Sequence, residues 1–257
     1  NTSSSTLGEY QDNQSKIGKM YRIESYNASS SLYAKSITKW DKNTSNNRNF
    51  VFSVNSVSSQ YNGDATHKDK AEAYAYNVSN GNVVQKVEYG EVTGSDDGTF
   101  SDTGSDLAST TITYAASTTP YIIGLPSNEL THDQSANKVR EARYYYDGLT
   151  LGNVNKGNQT KKEGWVTSST YASTTKAYDG TYGLVTQERD PNYNLTTHTL
   201  DSNNLYTATT TNALSQATGY VYDYAIGKPK QTFDANSRLY TTSFDALRRP
   251  ITISEPD

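Results

Sequence analysis

Residues 178–201 read Y-D-G-T-Y-G-L-V-T-Q-E-R-D-P-N-Y-N-L-T-T-H-T-L-D, and the pattern recurs downstream. Tyr178-Asp179, Leu200-Asp201, Tyr222-Asp223 and Phe244-Asp245 follow one another at intervals of 22 residues. Twelve positions after the first three of these pairs begin come Asp190, Asn212 and Asp234, opening D-P-N-Y-N, N-A-L-S-Q and D-A-N-S-R. Self-similarity at a fixed period marks a repeat architecture. Each unit holds two strand-like runs, such as 184–189 and 195–200, separated by short polar turns. Asp and Asn can bond their own backbone two residues on, and Gly tolerates a left-handed backbone. Turns this short leave no room for a crossover helix, so neighbouring strands must be antiparallel. The unit is a β-hairpin, and stacked hairpins make a meander.

The same grammar occurs upstream at Tyr26-Asn27, Tyr76-Asn77 and Tyr146-Asp147, each read as a short polar turn followed by a strand. Their spacings of 50, 70 and 32 residues predict longer loops between hairpins, with 64–70 and 94–107 the clearest insertions. The organisation expected is a flexible polar lead-in over 1–17, irregular hairpins over 18–143, and repeat hairpins over 144–257 with the regular period from 178. More than about 45% strand and under about 8% helix are expected, against the usual mixture of both.

Composition agrees. Leu, Ile, Val and Phe are only 41 of 257 residues, while Ser and Thr are 64 and Tyr is 22. Tyr, Thr and Val suit a pleated, half-buried surface. The reading is order in sheets, with tyrosine supplying much of the buried area and no thick aliphatic core. Net charge is −4 and the pI is near 5.4, so nothing favours nucleic acid as a partner. No apolar run approaches the ~18 residues of a membrane-spanning helix. Cysteine is absent, which removes disulfides and thiolate metal sites.

The motif Y-D-x-x-x-G followed by D-P-N-x-N resembles the YD repeat, also called the RHS repeat. Residues 144–157, Y-Y-Y-D-G-L-T-L-G-N-V-N-K-G, are similar to relatives of the Salmonella virulence plasmid B protein. The resemblance extends to the B and C components of insecticidal toxin complexes and to animal teneurins. It implies an all-β fold of consecutive antiparallel β-hairpins forming a curved strip that spirals into a hollow shell. In toxins of this kind the shell holds a C-terminal toxic domain. It also implies a secreted or cell-surface protein. The sequence departs from the family at the Gly of the D-P-N-G-N turn, replaced by Tyr193, Ser215 and Ser237, and at Arg248. Non-glycine residues are costly at φ > 0, so a different turn type is expected there.

No catalytic, cofactor-binding or metal-binding residue is assigned, and the chain is read as no enzyme. His67, placed in a loop, and His132 and His198 are far apart in sequence and are read as surface or cross-strand residues. There is no G-x-S-x-G, phosphate-binding loop or H-E-x-x-H. The self-cleavage motif of some RHS proteins, D-P-apolar-G-L, is not matched by Asp190-Pro191-Asn192. The acidic stretch that opens at Gly94 and closes at Leu107 offers Asp96, Asp97, Asp102 and Asp106. Carboxylates suit Ca2+, but EF-hand spacing is missing, so it is read as a solvated loop with calcium left open.

Two functions of different class remain. One is a structural wall segment of a larger shell enclosing or presenting a toxin or other effector domain that lies outside this chain. The other is an extracellular adhesive module that binds carbohydrate or a partner surface through Tyr, Trp40 and Trp165. Interlocked rings favour the wall; a flat exposed row favours adhesion. A hairpin strip also has raw edge strands. The expected partners are therefore the rest of a longer polypeptide, or copies of the chain, joined through those edges.

Overall fold

The computed structural model describes residues 14–44 and 49–255. Strand accounts for 61% of the chain, and no α-helix forms among the described residues. Residues 1–13 of the expected lead-in lie outside the described residues, and Gln14–Lys16 form a single 3-10 turn. The chain divides into two compact units, Asn1–Arg143 and Tyr144–Asp257.

The first unit contains β1 (Arg22–Tyr26), β2 (Leu32–Asn43), β3 (Phe50–Tyr61), β4 (His67–Tyr76), β5 (Val83–Gly94), β6 (Phe100–Asp102), β7 (Ala108–Thr118), β8 (Tyr121–Asp133) and most of β9 (Lys138–Tyr146). Each strand pairs antiparallel with the next, except that β5 pairs with both β6 and β7. The second unit contains β10 (Gln159–Thr167), β11 (Thr170–Tyr178), β12 (Val185–Arg189), β13 (Leu195–Leu200), β14 (Thr207–Thr211), β15 (Ala217–Asp223), β16 (Lys228–Phe233), β17 (Leu239–Phe244) and β18 (Pro250–Ser254). From β10 to β18 every consecutive pair is antiparallel, so the 22-residue unit is a hairpin.

Upstream irregularity has a different cause from the one expected. The wide spacings come mainly from long strands; β2, β3 and β5 each run 12 residues and β8 runs 13. The supposed insertion at 64–70 is a short turn, because β4 already starts at His67. His67 is thus a strand residue, paired with Tyr61. The stretch 94–107 is also not plain loop, since β6 folds back onto the end of β5. Only at Tyr146-Asp147 does a long loop follow, running 147–158 before β10.

The turns reveal what holds the period. At Asp190 one carboxylate oxygen accepts the N–H of Asn192 at 2.8 Å and of Asn194 at 2.9 Å. The N–H of Tyr193 donates to the Asp190 carbonyl at 3.0 Å. The same five-residue turn recurs at Asn27, Asp133, Asn212, Asp234 and Asp245, each taking the N–H groups two and four residues on. Its fourth residue is left-handed in all six: Ser30, Ala136, Tyr193, Ser215, Ser237 and Arg248 have φ of 60° to 65°. The expected change of turn type therefore does not occur. The side-chain bonds hold the left-handed backbone against a cost of ~1–2 kcal/mol for a non-glycine residue. Ser237→Gly should accordingly raise stability by about 0.5–1 kcal/mol, the relief of that strain less the glycine's extra entropy in the unfolded chain. Slower hydrogen exchange of the β16–β17 amides would read it; faster exchange would contradict the strain argument.

A second device precedes the turns that the Tyr-Asp-type pairs open, including the five-residue turns at Asn27 and Asp245. The register slips by one residue immediately before Tyr178, Leu200, Tyr222 and Phe244, and likewise before Tyr26 and Tyr76. The extra residue lies on the partner strand each time (Tyr33, Val84, Thr186, Ala208, Lys230 and Ile251), where a bulge raises the local twist. The turn that follows is six residues at Asn77, Asp179 and Asp201, closing onto Asn82, Leu184 and Tyr206, but five at Asn27 and Asp245.

Burial is thin, as the composition implied. In the first unit Val57, Ala71 and Val92 form a small core with Tyr89 and Phe100 against it, and Ile37 pairs beside Val57. In the second unit Tyr146 and Val154 are buried. Between residues 155 and 255 no side chain is fully buried.

Candidate functional site

The densest polar chemistry lies in the first unit, where the 94–107 segment meets β2–β5. Asp69, 4% exposed, points from β4 beneath this segment. It accepts the Gly94 N–H at 2.8 Å and a bond from the Ser59 hydroxyl, and lies 2.6 Å from His67 Nδ1. Burial works to raise the Asp69 pKa, and these three bonds overcome it, leaving the carboxyl below its ordinary value. The Tyr61 ring lies on His67 with centroids 4.8 Å apart. Lys35 reaches over Tyr61 to pair with Asp96.

The backbone of 94–107 covers the small core. A Cβ on Gly98 would come within 2.9 Å of the Ile37 side chain, and one on Gly94 within 2.7 Å of Val57. Phe100 meets Tyr89 edge-on at 4.8 Å. The solvated loop expected from sequence is thus a cover, apolar beneath and acidic outside. Its four carboxylates go to four different places. Asp96 takes Lys35, Asp97 takes the Thr99 N–H at 2.9 Å, Asp102 takes the Gly104 N–H at 3.3 Å, and Asp106 takes the Glu91 N–H at 3.1 Å. Among the described residues no cluster of three potential metal ligands is formed. Each of these carboxylates shapes the cover or anchors it to the sheet.

A cavity of about 610 Å³ lies against β1–β5, lined by Ile23, Ser25, Ala34, Ser36 and Ser58 with Lys70 beside them. It is open, and its polar side is formed by Ser59, Asp69, Glu91 and Asp106 with Lys35 and Lys68. A second of about 370 Å³ in the other unit is lined by Val185, His198, Leu200, Leu205 and Tyr222. His198 there bonds Thr210 across the strand pair, with Nδ1 and Oγ1 3.1 Å apart. His132 sits in β8 next to Ser109 of β7. Among the described residues none of the three histidines joins a cluster of three potential metal ligands.

The aromatic residues are interlocked at the sheet and more exposed toward the hairpin tips. Tyr206 and Tyr222 stack at 4.4 Å and 15°. Phe50, Phe52 and Tyr76 form a triad with centroids 5.0–5.8 Å apart. Beside it, burial and then the Glu72 hydrogen bond push the Tyr74 hydroxyl up to about 12. Trp40 donates its indole N–H to the Met20 carbonyl at 3.0 Å, and Trp165 to Ser168 at 2.9 Å. Lys161 lies 3.8 Å from the Tyr145 ring centroid and pairs with Glu163 at 2.8 Å; Lys162 lies over Tyr144 at 5.5 Å. The exposed rings Tyr121, Tyr182, Tyr193 and Tyr224 are at turns or strand ends.

Two polar centres go beyond the sequence reading, which has no role for Glu141 and expects Asp147 only to open a short turn. One is Glu141, buried between Lys138 at 2.8 Å and Arg143 at 2.6 Å. The other is Asp147, whose carboxylate gathers four consecutive backbone N–H groups, from Asn155 to Asn158, at 2.7–3.0 Å. The turn at Asp133 was missed too, although D-Q-S-A-N begins and ends like D-P-N-Y-N.

Comparison with known proteins extends this description. No family model and no curated protein matches the chain. Among solved structures, TcdB2-TccC3-Cdc42 superposes with a TM-score of 0.70 and TcdB2-TccC3 with 0.69, each 13% identical. A Photorhabdus luminescens Tc holotoxin pore carrying a TccC3 variant gives 0.67 at 12% identity. Each match covers 92% of this chain and 16% of the other, so the chain spans about a sixth of the length of the structures it matches. The likeness is one of fold, and it bears out the fold relationship to toxin-complex YD-repeat shells that the repeat implied.

Proposed function

We propose that the chain is a non-catalytic wall segment of a larger secreted or cell-surface YD-repeat shell, which encloses or presents a toxin or other effector domain. The observation that carries this reading is the sheet of 155–255, in which no side chain is fully buried. A sheet that stands alone needs a second layer against one face. This one has none within its own unit, so its faces are completed by something else. The rest of a longer polypeptide facing the sheet would do so, while the strand edges continue into that polypeptide or into copies of the chain. The interlocked rings support the wall over adhesion: Tyr206 packs on Tyr222 and Tyr224, and Phe50 and Phe52 pack on Tyr76.

The experiment is cryo-electron microscopy of the full polypeptide that carries this segment, with a glycan array run on the same material. A hairpin strip continuous with a closed wall around a cavity is the expected result. A free-standing domain with both sheet faces in solvent would overturn it, and glycan binding abolished by changing Tyr182 and Tyr224 would replace it with adhesion.

A further inference from the structure

The chain contains two Asn-Gly pairs, Asn62-Gly63 and Asn80-Gly81. Asparagine is a thermolabile residue, and before glycine its side-chain amide is open to attack by the next backbone nitrogen, since no side chain shields that nitrogen. The two pairs sit in equivalent places, each in the turn that follows a long strand. Their hydrogen bonding differs.

At Asn80 the reacting groups are occupied. The Gly81 N–H donates to the Asn77 carbonyl at 2.7 Å. The Asn80 side-chain oxygen accepts the Asn82 N–H at 3.0 Å. The Phe50 ring closes over Gly81, 3.3 Å from where a Cβ would stand. At Asn62 they are free. Asn62 and Gly63 are exposed, and neither bonds a described residue outside the strand ladder. Nothing lies within 4 Å of the Gly63 Cβ position. The turn is held from its far half instead, where the Asp64 carboxylate accepts the Thr66 N–H at 2.7 Å. Residues 62–63 can therefore rotate without breaking a bond of the fold.

We propose that Asn62 is a site of spontaneous backbone-assisted deamidation and that the fold protects Asn80. The Gly63 nitrogen gives up its proton and bonds to the Asn62 side-chain carbonyl carbon. The bond from that carbon to the amide nitrogen breaks, and the nitrogen leaves as ammonia with the proton. The five-membered succinimide then takes up one water at either carbonyl and opens to aspartate or isoaspartate. No electron transfer is involved. The product makes the chain one unit more negative, beside Asp64, at the turn that leads into His67 and Asp69. The isoaspartyl form also adds a methylene to the backbone of that turn.

The test is peptide mapping by mass spectrometry after ageing the chain in mildly alkaline buffer, native and in denaturant, with Asn62→Gln as the control. In the native chain the Asn62 peptide should exchange NH for O roughly tenfold faster than the Asn80 peptide, which must first open its turn. In denaturant the two rates should converge, and Asn62→Gln should remove the fast phase. Equal native rates, a faster Asn80, or native rates that stay unequal in denaturant would each overturn the proposal.

Discussion

Asp147→Ala should destabilise the 144–257 unit by about 3 kcal/mol, since hydrogen bonds to a charged group are worth ~1.5–3 kcal/mol each and water recovers part of the loss. One carboxylate holds the N–H groups of Asn155, Lys156, Gly157 and Asn158. The loop they close buries Val154 next to Tyr146. Asp147 itself is left-handed, at φ 55°, so its backbone adds strain that the bonds must hold. Without the carboxylate the four donors lose a common acceptor, and the loop opens with its buried valine. Asp147→Asn keeps one accepting oxygen and should recover less than half of the loss. Burial works to raise the Asp147 pKa, and the four N–H groups outweigh it, so the carboxyl lies below its ordinary value. The folded form therefore binds the proton less readily than the unfolded one. The contribution is fully present above the unfolded carboxylate value of ~4 and is lost as pH falls through the folded value. Asp133, Asp179, Asp190, Asp201 and Asp245 shift in the same direction, so acid should open the turns together. Hydrogen exchange at residues 147–160 of the full polypeptide measures both effects. Unchanged protection in Asp147→Ala, or protection that rises below pH ~4, would contradict them.

The sequence displayed the hairpin because its period is covalent: 22 residues carry the chain up one strand and down the next. It displayed the turn residues because Asp and Asn bond within four residues, which any reader of the chain can count. What it hid depends on distance along the chain. Asp69 meets Gly94 across 25 residues, and Lys35 meets Asp96 across 61. Nothing at Asp69 in K-D-K-A marks it as the anchor of a cover. The acidic stretch looked solvated for the same reason, since the face it buries belongs to β2 and β3. Its glycines were the readable clue. Gly94 and Gly98 stand where a Cβ would strike Val57 and Ile37, but from sequence alone a glycine in a loop also reads as flexibility. The left-handed turn residues failed differently. Tyr193, Ser215, Ser237 and Arg248 are poor choices for φ near 60°, and the local rule was overridden by the bonds around it.

Tyr222→Ala should cost the repeat region about 2–3 kcal/mol, from the loss of a half-buried aromatic surface and of one stacked pair. Its ring stacks on Tyr206 at 4.4 Å and lines a cavity with Leu200 and Val185. The register slip before it is repeated before Tyr178, Leu200 and Phe244, so these positions are equivalent in successive hairpins. Asp223→Ala should cost only about 0.5–1 kcal/mol, on the scale of a lost helix cap. Its carboxylate takes one exposed N–H, that of Ala225, while the bond from Gly227 goes to its backbone carbonyl and survives substitution. Asp245 is not its equivalent. It takes the N–H groups of Leu247 and Arg249 and the Arg249 guanidinium at 2.7 Å, so Asp245→Ala should cost more than Asp223→Ala. Tyr222→Phe keeps the stacked face and should cost under about 0.5 kcal/mol, as surface-level changes do. Hydrogen exchange across β14–β16 in the full polypeptide orders the four variants. The expected order is Tyr222→Ala most labile, then Asp245→Ala at its own turn, then Asp223→Ala, with Tyr222→Phe near the parent. If Asp223→Ala opened β15–β16 more than Tyr222→Ala did, the turns and not the stacked rings would be holding the hairpins together.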